Sequence, residues 1–268
     1  MSRYRLTIEY AGTRYSGWQK QTNARTIQGE LERAIAEATR RRAFEFQGAG
    51  RTDAGVHALH QVAHLGLGVR VPPESLRRQI NDNLPHDINV LGIEPAPARF
   101  HARHAAVART YLYQVSRRRS AFAKPYVWWV KDAVDVAAMR AAAAGFAGMH
   151  DFRSFSDDDP NEKSTDVLIE EVTIAEEGDL ILIRVGGSHF IWKMVRRMAG
   201  VLVEAGCGRL APDAVPRLLV QDSGLPARVT APAAGLFLER VFYAGDERRL
   251  PLVAACAVPA IARSRARP

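Results

Sequence analysis

The sequence predicts an α/β (α+β) protein of two similar β-α-β-β-α-β halves, each a mainly antiparallel sheet with helices on one face. Three observations lead there. Stretches that alternate apolar and polar residues are interleaved with stretches of helical period, and the order of these stretches repeats once along the chain. The length, 268 residues, also suits two domains of ordinary size. The boundaries read as 1–104 for the first half, 105–245 for the second, and 246–268 for a basic tail rich in Ala, Pro and Arg, without periodicity and expected to be loose.

In the first half, Tyr4, Leu6, Ile8 and Tyr10 alternate with Arg3, Arg5, Thr7 and Glu9, the pattern of a half-exposed strand. A polar, aromatic loop follows over 11–21. Thr26 is placed to cap a helix with the stripe Ile27, Leu31, Ala34, Ile35 and Ala38, closed by Arg40-Arg41-Arg42. Phe44 to Phe46 ends a strand, and Gln61 to Leu65 forms another. Pro72 and Pro73 open a helix through Leu76, Ile80 and Leu84, and Ile88 to Ile93 reads as a strand.

The second half opens with the strand Arg109 to Val115, then Arg117-Arg118-Arg119. A helix from Asp135 carries Met139, Ala142, Ala143 and Phe146. Strands at about 167–174 and 180–185 precede a long helix, Phe190 to Glu204, with the stripe Ile191, Val195, Met198 and Leu202; Lys193, Arg196 and Arg197 lie off that stripe. A short helix near 214–220 and a strand near 236–243 complete the order.

Composition narrows the function. Lys and Arg outnumber Asp and Glu 37 to 29, so the summed field favours a polyanion, nucleic acid first. No apolar run approaches a membrane span and no apolar signal region opens the chain, so the expected compartment is cytoplasmic. Cys207 and Cys256 make neither a disulfide framework nor a zinc site. His57, His60 and His64, with His101 and His104, invite a metal reading, but no assembled ligand pattern supports it, and His64 in a strand reads as structural. There is no Gly-x-Ser-x-Gly elbow, P-loop or dinucleotide fingerprint. No cofactor and no metal are implied.

The chemistry centres on Gly48-Ala49-Gly50-Arg51-Thr52-Asp53-Ala54-Gly55-Val56-His57, a loop whose glycines permit positive φ or close backbone approach. Asp53 is the candidate catalytic carboxylate. Arg51, two residues away, points the same way in an extended loop and would hold Asp53 ionised; a structural Arg–Asp pair pinning a turn fits that spacing as well. Tyr111 on a neighbouring strand and Arg196 on the long helix are the other candidates, against the readings of a packed sheet aromatic and a solvated surface cation.

This loop resembles the signature of the TruA family of tRNA pseudouridine synthases. Similar family blocks recur as Ser16-Gly17-Trp18-Gln19-Lys20-Gln21, Thr26 to Glu32, Asn83 to Ile88, Phe100-His101-Ala102-Arg103, Arg109-Thr110-Tyr111-Leu112-Tyr113, His150-Asp151-Phe152, Met194-Val195-Arg196 and Ala231 to Leu236. They run in family order to about residue 243. The resemblance implies a central RNA-binding cleft between the halves and conversion of uridine to pseudouridine in the tRNA anticodon stem-loop by a homodimer. Asp53 would detach uracil from its ribose and let it rejoin through carbon 5. Arg196 would pair with Asp53, Arg51 would reach the RNA backbone or fill the space of the flipped nucleotide, and Tyr111 would sit against the base. His57, Arg109, Lys193 and Arg197 are further substrate-binding candidates, and the basic clusters at 40–42, 77–78 and 117–119 would hold phosphates.

The sequence departs from the family pattern in three places. Leu168 stands where the family usually has an arginine, Ser156-Asp157-Asp158-Asp159 is acidic and would repel phosphate if it faced RNA, and Ile191-Trp192-Lys193 differs from the residues usual before Met-Val-Arg. The departures keep open a synthase acting on another RNA site. A non-catalytic RNA-binding paralogue is the other alternative, and its expected mark, loss of Asp53, Tyr111 or Arg196, is absent.

Overall fold

The structure, a computed structural model, describes residues 2–258. β1 (Ser2–Tyr10) buries Tyr4, Leu6, Ile8 and Tyr10, as its alternation demands. Thr26 caps α1 (Ile27–Thr39), its Oγ1 accepting the Gly29 N–H at 3.2 Å. The stripe Ile27, Leu31 and Ile35 is fully buried, and each such side chain contributes roughly 1.5–3 kcal/mol by leaving water. β2 (Glu45–Gly48), β3 (His57–Leu67), α2 (Pro73–Asp82) and β4 (Ile88–Pro95) complete the first half.

The second half runs β5 (Ala106–Ser116), β6 (Trp128–Trp129), α3 (Val136–Ala143), β7 (Gly148–Asp151), β8 (Asp166–Glu177) and β9 (Leu180–Gly187). It continues with α4 (Met194–Gly206), α5 (Val215–Val220), α6 (Leu225–Arg228) and β10 (Leu236–Tyr243). Asp135 caps α3, accepting the Ala137 N–H at 2.8 Å.

All the strands join one sheet in the order β4-β1-β3-β10-β5-β9-β8-β7, with β2 added to β3 and β6 to β5. Pairing is antiparallel except for β3–β10 and β5–β6. The β3–β10 pair is the seam between the halves, and it is short: Phe237 lies opposite His57 and Leu238 opposite Ala58. Since β1 occupies one edge of β3 from end to end, β10 and β2 share the other. Where β3 leaves β10 for β2 the halves diverge, and the 49–56 loop sits at that divergence.

One core packs α1 and α2 on the first half of the sheet and another packs α3 and α4 on the second. The opposite face carries a third cluster. Leu112, Leu180, Leu182 and Phe237 are covered there by Ala123 and Val127 and by the chain beyond β10, with Leu252, Ala254 and Val258 packed on it. The expectation of a loose tail from 246 is therefore corrected for these residues, because Arg184 donates to Leu250 O at 2.9 Å and Pro251 O at 2.8 Å, and Gln114 Oε1 accepts the Ala255 N–H at 2.7 Å. The rest of the tail, 259–268, lies outside the described residues.

Two further expectations change. The central loop is shorter than expected, since β2 continues to Gly48 and β3 begins at His57. The long helix starts at Met194 rather than Phe190: Lys193 takes φ +62°, which breaks the helical path and leaves Phe190 to Lys193 outside the helix, with a turn at Trp192 and Lys193.

Glu239 and Arg184 form a buried ion pair under the strap beyond β10, with side chains 10% and 6% exposed. Glu239→Ala should cost about 3 kcal/mol or more by stranding the guanidinium. Pairing Arg184→Met with Glu239→Leu should recover most of that loss in urea denaturation.

Candidate active site

Asp53 lies in the 49–56 loop, and the 10–18 segment fixes the loop from below. Trp18 N–H donates to Thr52 O at 3.0 Å, Tyr10 Oη lies 2.9 Å from Thr52 Oγ1, and Gly55 N–H donates to Tyr15 O at 3.3 Å. Gly55, at φ +79°, lets the chain turn back, and Val56 N–H closes the turn on Asp53 O at 3.1 Å.

Arg196 approaches from the other half. It sits in the first turn of α4, with Nη1 3.4 Å from Asp53 Oδ2. Its Nε donates to Ala231 O at 2.8 Å while its own carbonyl accepts the Ala231 N–H at 3.1 Å, so helix and 229–231 segment are laced together. Gly200 permits this approach: a Cβ there would stand 1.8 Å from Val229 O. Both side chains are partly exposed, Asp53 at 27% and Arg196 at 17%, which leaves the carboxylate oriented yet reachable.

The pair faces a cleft of about 1030 Å³ between the halves. Tyr111 lines it with its ring edge-on to Phe190, centroids 5.0 Å apart, above a floor of Leu236, Leu238 and Val241. Burial pushes the Tyr111 phenol up to about 12; Arg109 pulls it back and the Asp53 charge pushes it further. The ring therefore stays neutral. Arg109 braces the walls, donating to Ser188 O at 2.8 Å, Arg103 O at 3.2 Å and Ala49 O at 3.4 Å. With Arg51, Arg103, Arg109, Lys163, Lys193 and Arg196 against Asp53 and Asp158, the lining is cationic.

The other candidates separate. Arg51 is exposed and lines the cleft, but Asp53 takes its ion pair from Arg196, so the spacing argument for an Arg51–Asp53 pair is corrected. His57 does not line the cleft. Its Nδ1 accepts the Gly12 N–H at 3.1 Å, its Nε2 faces Pro125 O at 2.9 Å, and its ring stacks on Phe237 with centroids 4.7 Å apart, so it pins the seam. Arg197 is buried and donates to Ser156 O at 2.7 Å and Ser154 O at 3.3 Å and pairs with Asp157, away from the cleft.

Lys193 does line the cleft, with Nζ 2.6 Å from Asp157 Oδ2. This answers the concern over the acidic stretch. Asp157 faces Lys193 and Arg197, and Asp158 accepts the Trp192 N–H at 2.9 Å and pairs with Lys163 at 2.9 Å, so both carboxylates are matched by protein groups. Leu168 lies opposite Met149 in the β7–β8 ladder and is not part of the lining. Arg77 and Arg78 pair with Glu74, Arg117 with Glu176 and Arg118 with Asp179, all outside the cleft. His64, in β3, bonds Glu45 and accepts the Ala102 N–H; among the described residues no group of His, Cys, Asp or Glu is arranged to hold a metal ion.

Sequence reasoning missed the residues that brace the candidates. Phe190 reads in the sequence as the start of the long helix and not as a partner of Tyr111, and nothing in the periodicity marks Ala231 O as the anchor of Arg196. A sequence clue to that anchor existed, since Ala231 opens one of the blocks that carried the resemblance.

Two consequences are measurable. Gly200→Ala should destabilise the fold by about 1–3 kcal/mol in chemical denaturation, because a backbone carbonyl stands where the methyl must go. Burial lowers the His57 pKa, and a proton on Nδ1 would face the Gly12 N–H. Neutral His57 thus supports the fold fully above the unfolded value of about 6.5, and this contribution is lost as pH falls through the lower folded value. His57→Gln should flatten the decline of unfolding free energy below that pH.

Comparison with known proteins identifies the family. The family model described as tRNA pseudouridine synthase matches residues 6–104 and 142–244. The tRNA pseudouridine synthase A 2 of Clostridium tetani is 39% identical over 243 residues, covering 89% of this chain and 98% of that protein. The tRNA pseudouridine synthase A of Rhodopseudomonas palustris is 42% identical over 246 residues, 91% of this chain and all of the relative. With a family match on both walls of the cleft and relatives alike over nearly their whole length, the chain belongs to the TruA-type tRNA pseudouridine synthases, isomerases that convert uridine to pseudouridine.

Proposed function

We propose that Asp53 is the catalytic carboxylate of a synthase that isomerises uridine in the anticodon stem-loop of tRNA. The observation that carries this reading is the Asp53–Arg196 contact at the mouth of a cationic cleft, beside Tyr111. A guanidinium keeps its proton at any physiological pH, so Arg196 stabilises the ionised carboxylate without competing for its chemistry.

The reaction balances within the substrate. The bond between N1 of uracil and C1′ of ribose breaks, a bond between carbon 5 and C1′ forms, the hydrogen on carbon 5 leaves as a proton, and N1 gains one. No electrons are exchanged and no phosphate bond is spent, so no cofactor is required. Asp53 supplies either the nucleophile that frees the base or the acceptor of a proton. The target nucleotide must leave its stack, at a cost of a few kcal/mol. Tyr111 offers a neutral aromatic face, which offsets about 1–3 kcal/mol of that. Arg51, exposed at the rim, is placed to take the backbone or the space the nucleotide vacates.

Lys193 and Arg109 contribute charge to the lining, and Arg109 also holds the walls together. A homodimer, in which one tRNA touches both subunits, belongs to the same proposal and rests on the family resemblance. Within it, residues 1–104 supply the catalytic loop and 105–245 supply Arg196 and Tyr111.

Asp53→Ala should abolish pseudouridine formation, by at least about 10³-fold, while tRNA binding stays within about threefold of wild type. Nucleoside analysis of modified transcripts with gel-shift binding checks both. Loss of binding with the fold intact would remove Asp53 from the chemistry. Mapping pseudouridine outside the anticodon arm would assign the enzyme another RNA site.

A further inference from the structure

We propose that Trp192 is a base-stacking residue at the rim of the cleft, carried on a segment that the acidic loop holds through its main chain and through Lys193, and that its occupant is a nucleobase adjoining the target uridine. The inference rests on the assignment of tRNA as substrate and adds a contact to it.

Trp192 stands four residues before Arg196 and lines the same cleft as Asp53 and Tyr111. It is 50% exposed, a large aromatic surface among the cations of the lining and well above its apolar floor in exposure. A polyanion drawn into that lining brings unpaired bases with it, and an indole presents the flat face on which any base stacks. The anion attracted by Arg51 and Arg103 and the ring in the same lining thus call for one occupant, a nucleic-acid segment that offers phosphate and base together.

The main chain that carries the ring is also held before any ligand arrives. Asp158 Oδ2 accepts the backbone N–H of Trp192 at 2.9 Å. Lys193, next in the chain, takes φ +62°, a conformation a lysine adopts only where its surroundings enforce it. Its Nζ is tied to Asp157 at 2.6 Å and lies 4.9 Å from the Trp192 ring centroid, so a fixed cation attends the indole. Asp157 is anchored in turn on the buried Arg197. The acidic stretch and the residues before α4, both unusual in sequence, are thus two sides of one contact. Holding this segment in advance reduces the entropy lost when a base docks.

The test is equilibrium binding of an unmodified tRNA transcript to wild type, Trp192→Ala and Trp192→Phe, with thermal unfolding and solution mass measured on each. Loss of one base–aromatic stack should raise Kd about 5- to 150-fold in the alanine variant. The phenylalanine variant should stay within about threefold of wild type, and the unfolding midpoint and mass of both should be unchanged. Wild-type affinity in the alanine variant would overturn the proposal. So would equal loss in both variants, a lowered midpoint, or a change of mass, which would place the indole in a subunit contact. A fall in turnover at saturating tRNA with unchanged Kd would also overturn it, making Trp192 a positioning residue for Arg196. Binding that behaves as expected in a protein that forms no pseudouridine would leave the stack standing and remove the catalytic reading instead.

Discussion

Asp53 and Arg196 are 143 residues apart in the chain, and their contact at 3.4 Å exists only because two separately packed halves share one sheet. The carboxylate rides on a loop of the first half and the guanidinium on a helix of the second. What joins them is the short parallel pairing of β3 with β10, two residue pairs wide. A longer seam would close the space between the halves, and without the seam the two charges would have no fixed relation. The cleft is therefore a product of topology: β3 must leave β10 for β2 at the point where the catalytic loop emerges.

The supporting contacts follow from that requirement. His57 pins the seam from the first half by stacking on Phe237, and its neutral form is the one the bonds around it accept. Arg109 crosses from β5 to the start of the loop. On the opposite face, the chain beyond β10 is held by Arg184 and Gln114 and shields the apolar residues of β5 and β9. Each is an interaction between segments distant in sequence; those of His57 and Arg109 resist relative movement of the two halves, and those of Arg184 and Gln114 hold the strap on the second half.

This division decides what could be read from the sequence. Elements set by local rules were legible: the β1 alternation, the Thr26 cap, the helix from Asp135, the β10 run. Asp53, Tyr111 and Arg196 were picked out by resemblance, since spacing alone favoured a turn pair, a packed ring and a surface charge. The errors fall where tertiary contacts override local preference. Lys193 interrupts a helical pattern because the acidic loop holds the turn before it, and Arg197, a surface cation by composition, is buried because Asp157 and two carbonyls receive it. The loose tail was misread because its anchors, Arg184 and Gln114, lie in strands far upstream.

The account turns on whether Asp53 directs chemistry at carbon 5 of uridine. Reattachment of the base through carbon 5 expels the hydrogen there, so the decisive measurement is tritium release from tRNA labelled at that carbon, without a methyl donor, by wild type and by Asp53→Asn. The account predicts release by wild type and none above background by the variant. Equal release by both, or none by a wild type that binds tRNA tightly, would contradict it.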